Sequence, residues 1–232
     1  MLNEASVNGD VRLRKVDPVK HEQKRREILG AAIRCFTRDG FRGASTTDIC
    51  AEAGISPGHL YHYFPSKMAI IEAMIDLGLA RTAARFEKIL AAPDVIEALL
   101  VDIEETSLRF RPAQILNLDG LAEAARNPDF AKIFERHTTA VRRMWSDFLR
   151  QAQSQGRVDS GLDPDATANI LIALIDGSRA MPIRNPKLDI KQSVAHLRTM
   201  LVRFLRPPEA QSTASKPRDH KAGRPLTLVR KR

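Results

Sequence analysis

The sequence predicts an all-α fold of about nine helices in two parts, and three observations predict it. Apolar residues recur at helical spacing from about residue 20 to about residue 206, with few strand signals between them. Proline paired with a preceding Asn, Asp or Ser recurs along the chain, and that pair marks the cap and first position of a helix. Thr46 to Lys67 packs a short helix, a glycine turn, a second short helix and the capped start of a third into one stretch.

The first helix is predicted over HEQKRREILGAAIRCFTRDG, with Ile28, Leu29, Ala32, Ile33, Cys35 and Phe36 on one face and Gly40 as its C-cap. Ser45, Thr46 and Thr47 can accept hydrogen bonds from the free N–H groups of the next first turn. Ser45 with Asp48 has the spacing of a capping box. Ile49, Cys50 and Ala53 form the apolar stripe, and Gly54 suits a left-handed C-cap. Ile55 plugs the turn, Ser56 caps, and Pro57 opens the second short helix at a position where its missing N–H costs nothing. Pro65 disfavours helix at Phe64, so this helix spans only Pro57 to Tyr63. It is too short to stand alone, and Leu60 and Phe64 are its anchors. Its other face carries Gly58, His59, Tyr61, His62 and Tyr63, with no acid among them. Hydroxyls and imidazoles of this kind reach phosphates and base edges. Ser66 then caps a long helix that starts at Lys67.

This segment resembles the TetR-type bacterial transcriptional regulators, whose DNA-binding domain reads T-x-x-I-A-x-x-A-G-V-S-x-G-x-L-Y-x-Y-F-x-S-K-x-x-L. The chain matches at Thr46, Ile49, Ala53, Gly54, Ser56, Gly58, Leu60, Tyr61, Tyr63, Phe64, Ser66 and Lys67, with Ile55 for valine and Cys50 for alanine. Gly40, Phe41 and the Gly43 turn fit the family's G-[FY]-x-x-[AT]-[ST] exit from the first helix. The resemblance implies an N-terminal three-helix helix-turn-helix DNA-binding domain joined to a C-terminal helical ligand-binding and dimerisation domain. It implies a regulator, with repression the family's usual mode, that binds a palindromic double-stranded DNA operator as a homodimer. The recognition helices of the two subunits would lie about 34–36 Å apart. Carried onto this chain, His59 and His62 are the candidates for base contacts with Gly58 close by; Thr46, Thr47, Tyr61, Tyr63 and Lys67 grip phosphates. Ser56 and Pro57 border the contact, and Lys24, with Arg25 and Arg26, stands where the family places a phosphate contact. Activation, or DNA binding without any small molecule, remains the alternative.

Composition bounds the rest. The net charge of +9 resides at the two ends: residues 1–68 carry 11 Lys/Arg against 8 Asp/Glu, residues 69–205 are balanced, and residues 206–232 carry 8 against 2. Basic ends suit an anionic polymer. Residues 1–19 read as a flexible arm, 20–68 as the DNA-binding unit, 69–206 as the regulatory and dimerisation body, and 207–232 as a disordered basic tail. The tail holds Gly223-Arg224-Pro225, the core of a minor-groove hook, but Ala222 replaces the arginine that should precede it, so nonspecific DNA affinity is the simpler expectation. No run of eighteen apolar residues spans a membrane, the N-terminus is no signal core, and Cys35 and Cys50 sit on apolar helix faces, all as expected of a cytoplasmic protein.

Within the body, a fourth helix is predicted from Lys67 to about Ala91, a fifth from Pro93-Asp94, a sixth from Pro112, a seventh from Asn127-Pro128 and an eighth from Asp163-Pro164. Pro182 and Pro186 are expected to break the chain before a ninth helix at about Asp189 to Arg206. The eighth is apolar nearly all round: Ile170, Leu171, Ile172, Leu174 and Ile175 point in every direction. Such a helix must be covered on all sides. With Val194, Leu197, Leu201 and Phe204 or Leu205 on one side of the ninth, the simplest cover is the same pair from a second subunit, which is also how the family dimerises. ALIDG in the eighth helix resembles the C-terminal domain of the betaine-operon repressor branch. By the family's logic an unidentified effector sits among the middle helices, where Arg111, Gln114, Asn117, Met144, Trp145 and Phe148 are candidates. No nucleophile elbow, P-loop, dinucleotide fingerprint or zincin motif occurs, so no enzyme and no cofactor are expected. His59 and His62 have a spacing that could hold a metal but no third ligand nearby, and no metal is expected.

Overall fold

The computed structural model describes residues 17–109 and 111–208, leaving aside the side chains of 107–113. Among them are nine α-helices and no strand: α1 Pro18–Gly43, α2 Thr46–Ala53, α3 Pro57–Tyr63, α4 Lys67–Ala91, α5 Val95–Arg109, α6 Arg111–Ala124, α7 Pro128–Ser154, α8 Pro164–Arg184 and α9 Ile190–Leu205. The chain divides into two compact units, Met1–Ala83 with Phe110–Val141, and Ala84–Arg109 with Arg142–Arg232.

The helix starts follow from local chemistry. Asp17 accepts from the N–H of Val19 at 3.0 Å and caps α1, with Pro18 at the first position. Ser45 and Asp48 form the full capping box of α2, the Ser45 N–H donating to the Asp48 carboxylate at 2.8 Å and the Asp48 N–H to Ser45 Oγ at 3.1 Å. Asp48 lies below the ordinary carboxylate value because the Ser45 hydroxyl, then the Ser45 backbone, donates to it. Gly54 ends α2 in the left-handed region at φ 63, ψ 39. Asn127, Asp163 and Asp189 cap α7, α8 and α9 through side-chain oxygens.

The core of the first unit is built on α1. Ile28, Leu29, Ala32, Cys35 and Phe36 are buried with Ile49 and Cys50 of α2, Leu60 of α3, Phe64, Ile70 and Ile71 of α4, and Phe130 of α7. The thiols of Cys35 and Cys50 are free, and burial raises their pKa. Phe41 lies between Phe36 and Phe130, with ring centroids 5.1 and 5.0 Å away. α1 is not continuous to its end: Gly40 leaves helical geometry at φ 75, ψ 168, so the expected C-cap glycine bends the chain and a last turn, Phe41–Gly43, follows.

The second unit buries Phe86 and Ile89 of α4, Val95, Ile96, Leu99, Leu100 and Ile103 of α5, Trp145, Phe148 and Leu149 of α7, Leu171 and Ile175 of α8, and Leu201 and Leu205 of α9. Arg157 closes the end of α4 by donating to the carbonyls of Leu90 and Ala92 at 2.7 and 2.6 Å. Arg198 of α9 holds Glu97 of α5 with both carboxylate oxygens at 2.5 Å. On α8, Arg179 donates to Thr106 of α5 at 2.9 Å.

Pro182 does not break the chain as expected; it lies inside α8. It stands two residues before the last helical residue, Arg184, and its missing N–H forfeits one ladder bond. The next turn still closes, with the Asn185 N–H donating to the Met181 carbonyl at 2.8 Å. The break falls instead at Asn185–Leu188, around Pro186.

Candidate nucleic-acid interface

α3 is held from behind and bare in front. Its buried residue is Leu60, 0% exposed, and Phe64 follows just past its end in extended conformation at φ −140. Ser56 caps it, accepting from the His59 N–H at 3.3 Å. Ser56, Pro57, Gly58, His59, Tyr61 and His62 are all exposed, Tyr61 by 51%. A Cβ built on Gly58 meets nothing within 4 Å, so the surface there is open to another backbone. Tyr63 is half-buried. Neither tyrosine hydroxyl has a hydrogen-bond partner among the described residues.

Four rings gather here. The His21 ring of α1 stacks on Tyr63 with centroids 4.6 Å apart and planes at 29°. His59 lies 5.4 Å and His62 5.3 Å from the same ring, and His21 meets His62 edge-on at 6.0 Å. So the structure brings His59, His62 and Tyr63 together and adds His21, which sequence reasoning missed. Nothing in the helical period of α1 marks His21; only the crossing of α1 and α3 does. Among the described residues no group of three His, Cys, Asp or Glu is arranged to hold a metal.

The remaining candidates surround this face with less freedom. Thr46 and Thr47 form the first turn of α2, Thr46 half-buried and Thr47 exposed. Lys24 is paired with Glu27 at 3.0 Å, and this lowers the Glu27 pKa. Arg25 lies over the Phe64 ring at 5.2 Å. Lys67 is half-buried, donates to the Arg42 carbonyl at 3.4 Å and sits 5.9 Å from the Phe36 ring centre. Burial holds its ammonium below the ordinary lysine value, against the nearby charges of Glu123 and Asp48.

The candidates for effector contacts fall in different surroundings. Gln114 and Asn117 are half-buried on α6 in the first unit, while the Arg111 side chain lies outside the described residues. In the second unit Met144 is half-buried, and Trp145 and Phe148 are buried against Phe86, at 4.8 Å edge-on and 4.9 Å stacked. The basic tail and most of the arm also lie outside the described residues. No helix among those described is long and apolar enough to cross a membrane.

The chain is similar to known proteins over most of its length. Residues 28–74 match the family of bacterial regulatory proteins, tetR family, and residues 94–206 match the BetI-type transcriptional repressor C-terminal family. The HTH-type transcriptional regulator UidR of Escherichia coli strain K12 is 30% identical over 153 residues, 66% of this chain and 78% of that protein. The HTH-type transcriptional repressor KstR2 of Mycobacterium tuberculosis strain H37Rv is 30% identical over 146 residues, 61% of this chain and 72% of its own length. Among solved structures, Salmonella enterica GusR superposes with a TM-score of 0.65 at 28% identity, covering 79% of this chain and 95% of that one. With a capped recognition helix bare on one face, and both halves of the chain matched, this protein belongs to the TetR family of transcriptional regulators.

Proposed function

We propose that this regulator is a cytoplasmic repressor that grips a palindromic operator as a homodimer, and that a small-molecule effector loosens that grip. The observation that carries the reading is the outer face of α3. It is capped, anchored through Leu60, free of acids, and presents Gly58, His59, Tyr61 and His62 to solvent. His59 and His62 read base edges there. Thr46, Thr47, Tyr61, Tyr63 and Lys67 fix register on phosphates, with Ser56 and Pro57 at the border and Lys24 at the flank.

The dimer forms through α8 and α9. Leu171, Ile175, Leu201 and Leu205 turn inward within the subunit. Ile170 at 48% and Met200 at 56% exposure, with Met181 and Ile183, leave apolar surface on these two helices that a twofold partner covers. The effector acts as a population shift: it binds better to a geometry in which the two α3 helices no longer match successive major grooves. Within the second unit Met144, Trp145 and Phe148 are the candidates for its contacts, and within the first unit Gln114 and Asn117 are.

The experiment is a selection of duplexes from a random library by the full-length protein, followed by the mass of the protein–DNA complex in solution. The expected result is an enriched inverted repeat, half-sites about one helical turn apart, bound by two chains. Enrichment of no sequence, or of an asymmetric site bound by one chain, overturns the reading. An operator whose affinity no metabolite in a broad panel changes overturns the effector part alone.

A further inference from the structure

We propose that His21 is a positioning residue for DNA binding: its imidazole, stacked on the Tyr63 ring, holds the Tyr63 hydroxyl where it meets a backbone phosphate. The proposal rests on the phosphate role given to Tyr63 above.

The core holds Tyr63 only in part. It is the last residue of a seven-residue helix, and the chain is already extended at Phe64. Leu60 is the buried residue of that helix, and Tyr63 packs against the same core while staying half-exposed. The exposed part of the phenol, with the hydroxyl at its tip, is the part that neighbouring rings can still restrain. Three rings lie against it. His59 and His62 belong to α3 and travel with it. His21 belongs to α1, whose Ile28, Leu29, Ala32, Cys35 and Phe36 are fixed in the core. Among the described rings it is therefore His21 that ties Tyr63 to a second element.

The backbone of His21 is fixed in the first turn of α1. Its N–H donates to the Asp17 carbonyl at 3.0 Å, one turn in from the Asp17 cap. The 29° tilt and 4.6 Å separation are those of a stacked pair, an interaction that uses the flat ring face. The role thus needs an aromatic plane and does not need a charge. Meanwhile the Tyr63 hydroxyl has no partner among the described residues and stays available to an outside acceptor. A stacked aromatic pair of this kind corresponds to roughly a two- to tenfold change in binding when its whole effect falls on the bound geometry.

The test uses the full chain and its selected operator, with affinity read by fluorescence anisotropy at one salt concentration and folding of each variant checked by circular dichroism. His21→Ala is expected to weaken binding by roughly two- to tenfold, and His21→Phe to restore it. Tyr63→Phe is expected to weaken binding, and adding His21→Ala to Tyr63→Phe to weaken it little further, because there is no hydroxyl left to position. Binding by His21→Ala equal to that of the unaltered protein overturns the proposal. So does a His21→Phe variant as weak as His21→Ala with effects that add to Tyr63→Phe, since the imidazole would then contact DNA directly. A silent Tyr63→Phe variant overturns the phosphate role underneath, and separates that failure from a failure of the stack.

Discussion

The carboxylate of Asp119 on α6 accepts a hydrogen bond from the backbone N–H of Phe41, at 2.6 Å across 78 residues of chain. The bond exists because Gly40 turns at φ 75 just before it, freeing the Phe41 N–H from the α1 ladder. The fit is close on both sides of Asp119. A Cβ on Gly40 would stand 3.1 Å from its Oδ2, and one on the neighbouring Gly120 would stand 2.9 Å from the Phe134 ring. The exit of α1, which leads directly into the capping box of α2, is therefore fixed by α6.

Removing that acceptor leaves the Phe41 N–H without its partner. Asp119→Ala should lower unfolding stability by about 1.5–3 kcal/mol, the range for a hydrogen bond to a charged group, and Asp119→Asn by less. Urea denaturation of the full chain measures it; an unchanged midpoint for Asp119→Ala would show that the bond contributes nothing.

Gly54 tests backbone geometry in isolation. Its φ of 63 is disfavoured for a residue with a Cβ, yet the space around it is open. Gly54→Ala should therefore cost about 1 kcal/mol from conformation alone, and Gly54→Asn less, because asparagine tolerates the left-handed region. Equal stability of the three proteins in thermal melts would contradict this.

Leu60 is the buried residue of α3. Leu60→Ala should cost about 2–5 kcal/mol and weaken operator binding further than its effect on unfolding explains, because α3 is too short to keep its shape unanchored. Binding measured well below the melting temperature decides the second point; normal affinity there would sink it.

His59 and Tyr63 should differ in kind. His59→Ala should relax preference at one position of each half-site, by about 1–3 kcal/mol of discrimination, while Tyr63→Phe weakens all sequences alike. Repeating the duplex selection with each variant separates the two roles. Unchanged preference in His59→Ala would end its assignment as a base reader.

Asp48 makes part of the stability pH-dependent. Its folded pKa lies below the ordinary 3.8, chiefly through the Ser45 hydroxyl. A carboxylate depressed on folding adds stability that is present above its unfolded value and is lost as pH falls through its folded value. Asp48→Asn should be less stable than the unaltered protein at pH 7, and the gap should narrow at pH 3. A gap that stays constant between those pH values would place the cost in the side-chain shape and not in the charge.

The elements that were legible in the sequence are those whose cause lies within a few residues. The Ser45–Asp48 box, the left-handed Gly54, the Ser56-Pro57 start and the stop before Pro65 are all interactions between near neighbours, so spacing alone specifies them. Pro182 misled because a proline forfeits its own ladder bond without stopping the helix, and α8 still closes after it through the Asn185 N–H to the Met181 carbonyl.

The recognition helix, its caps and its acid-free face were thus determined by the sequence itself. Tertiary structure alone decided that His21 lies on Tyr63, that Asp119 holds Phe41, and that Lys67 turns partly inward to the Arg42 carbonyl. A local hydrogen bond is set by the number of residues between its partners. A stack or a strut between distant residues is set by how two helices pack, and that is fixed by the buried faces of α1, α3 and α6, not by the residues that meet.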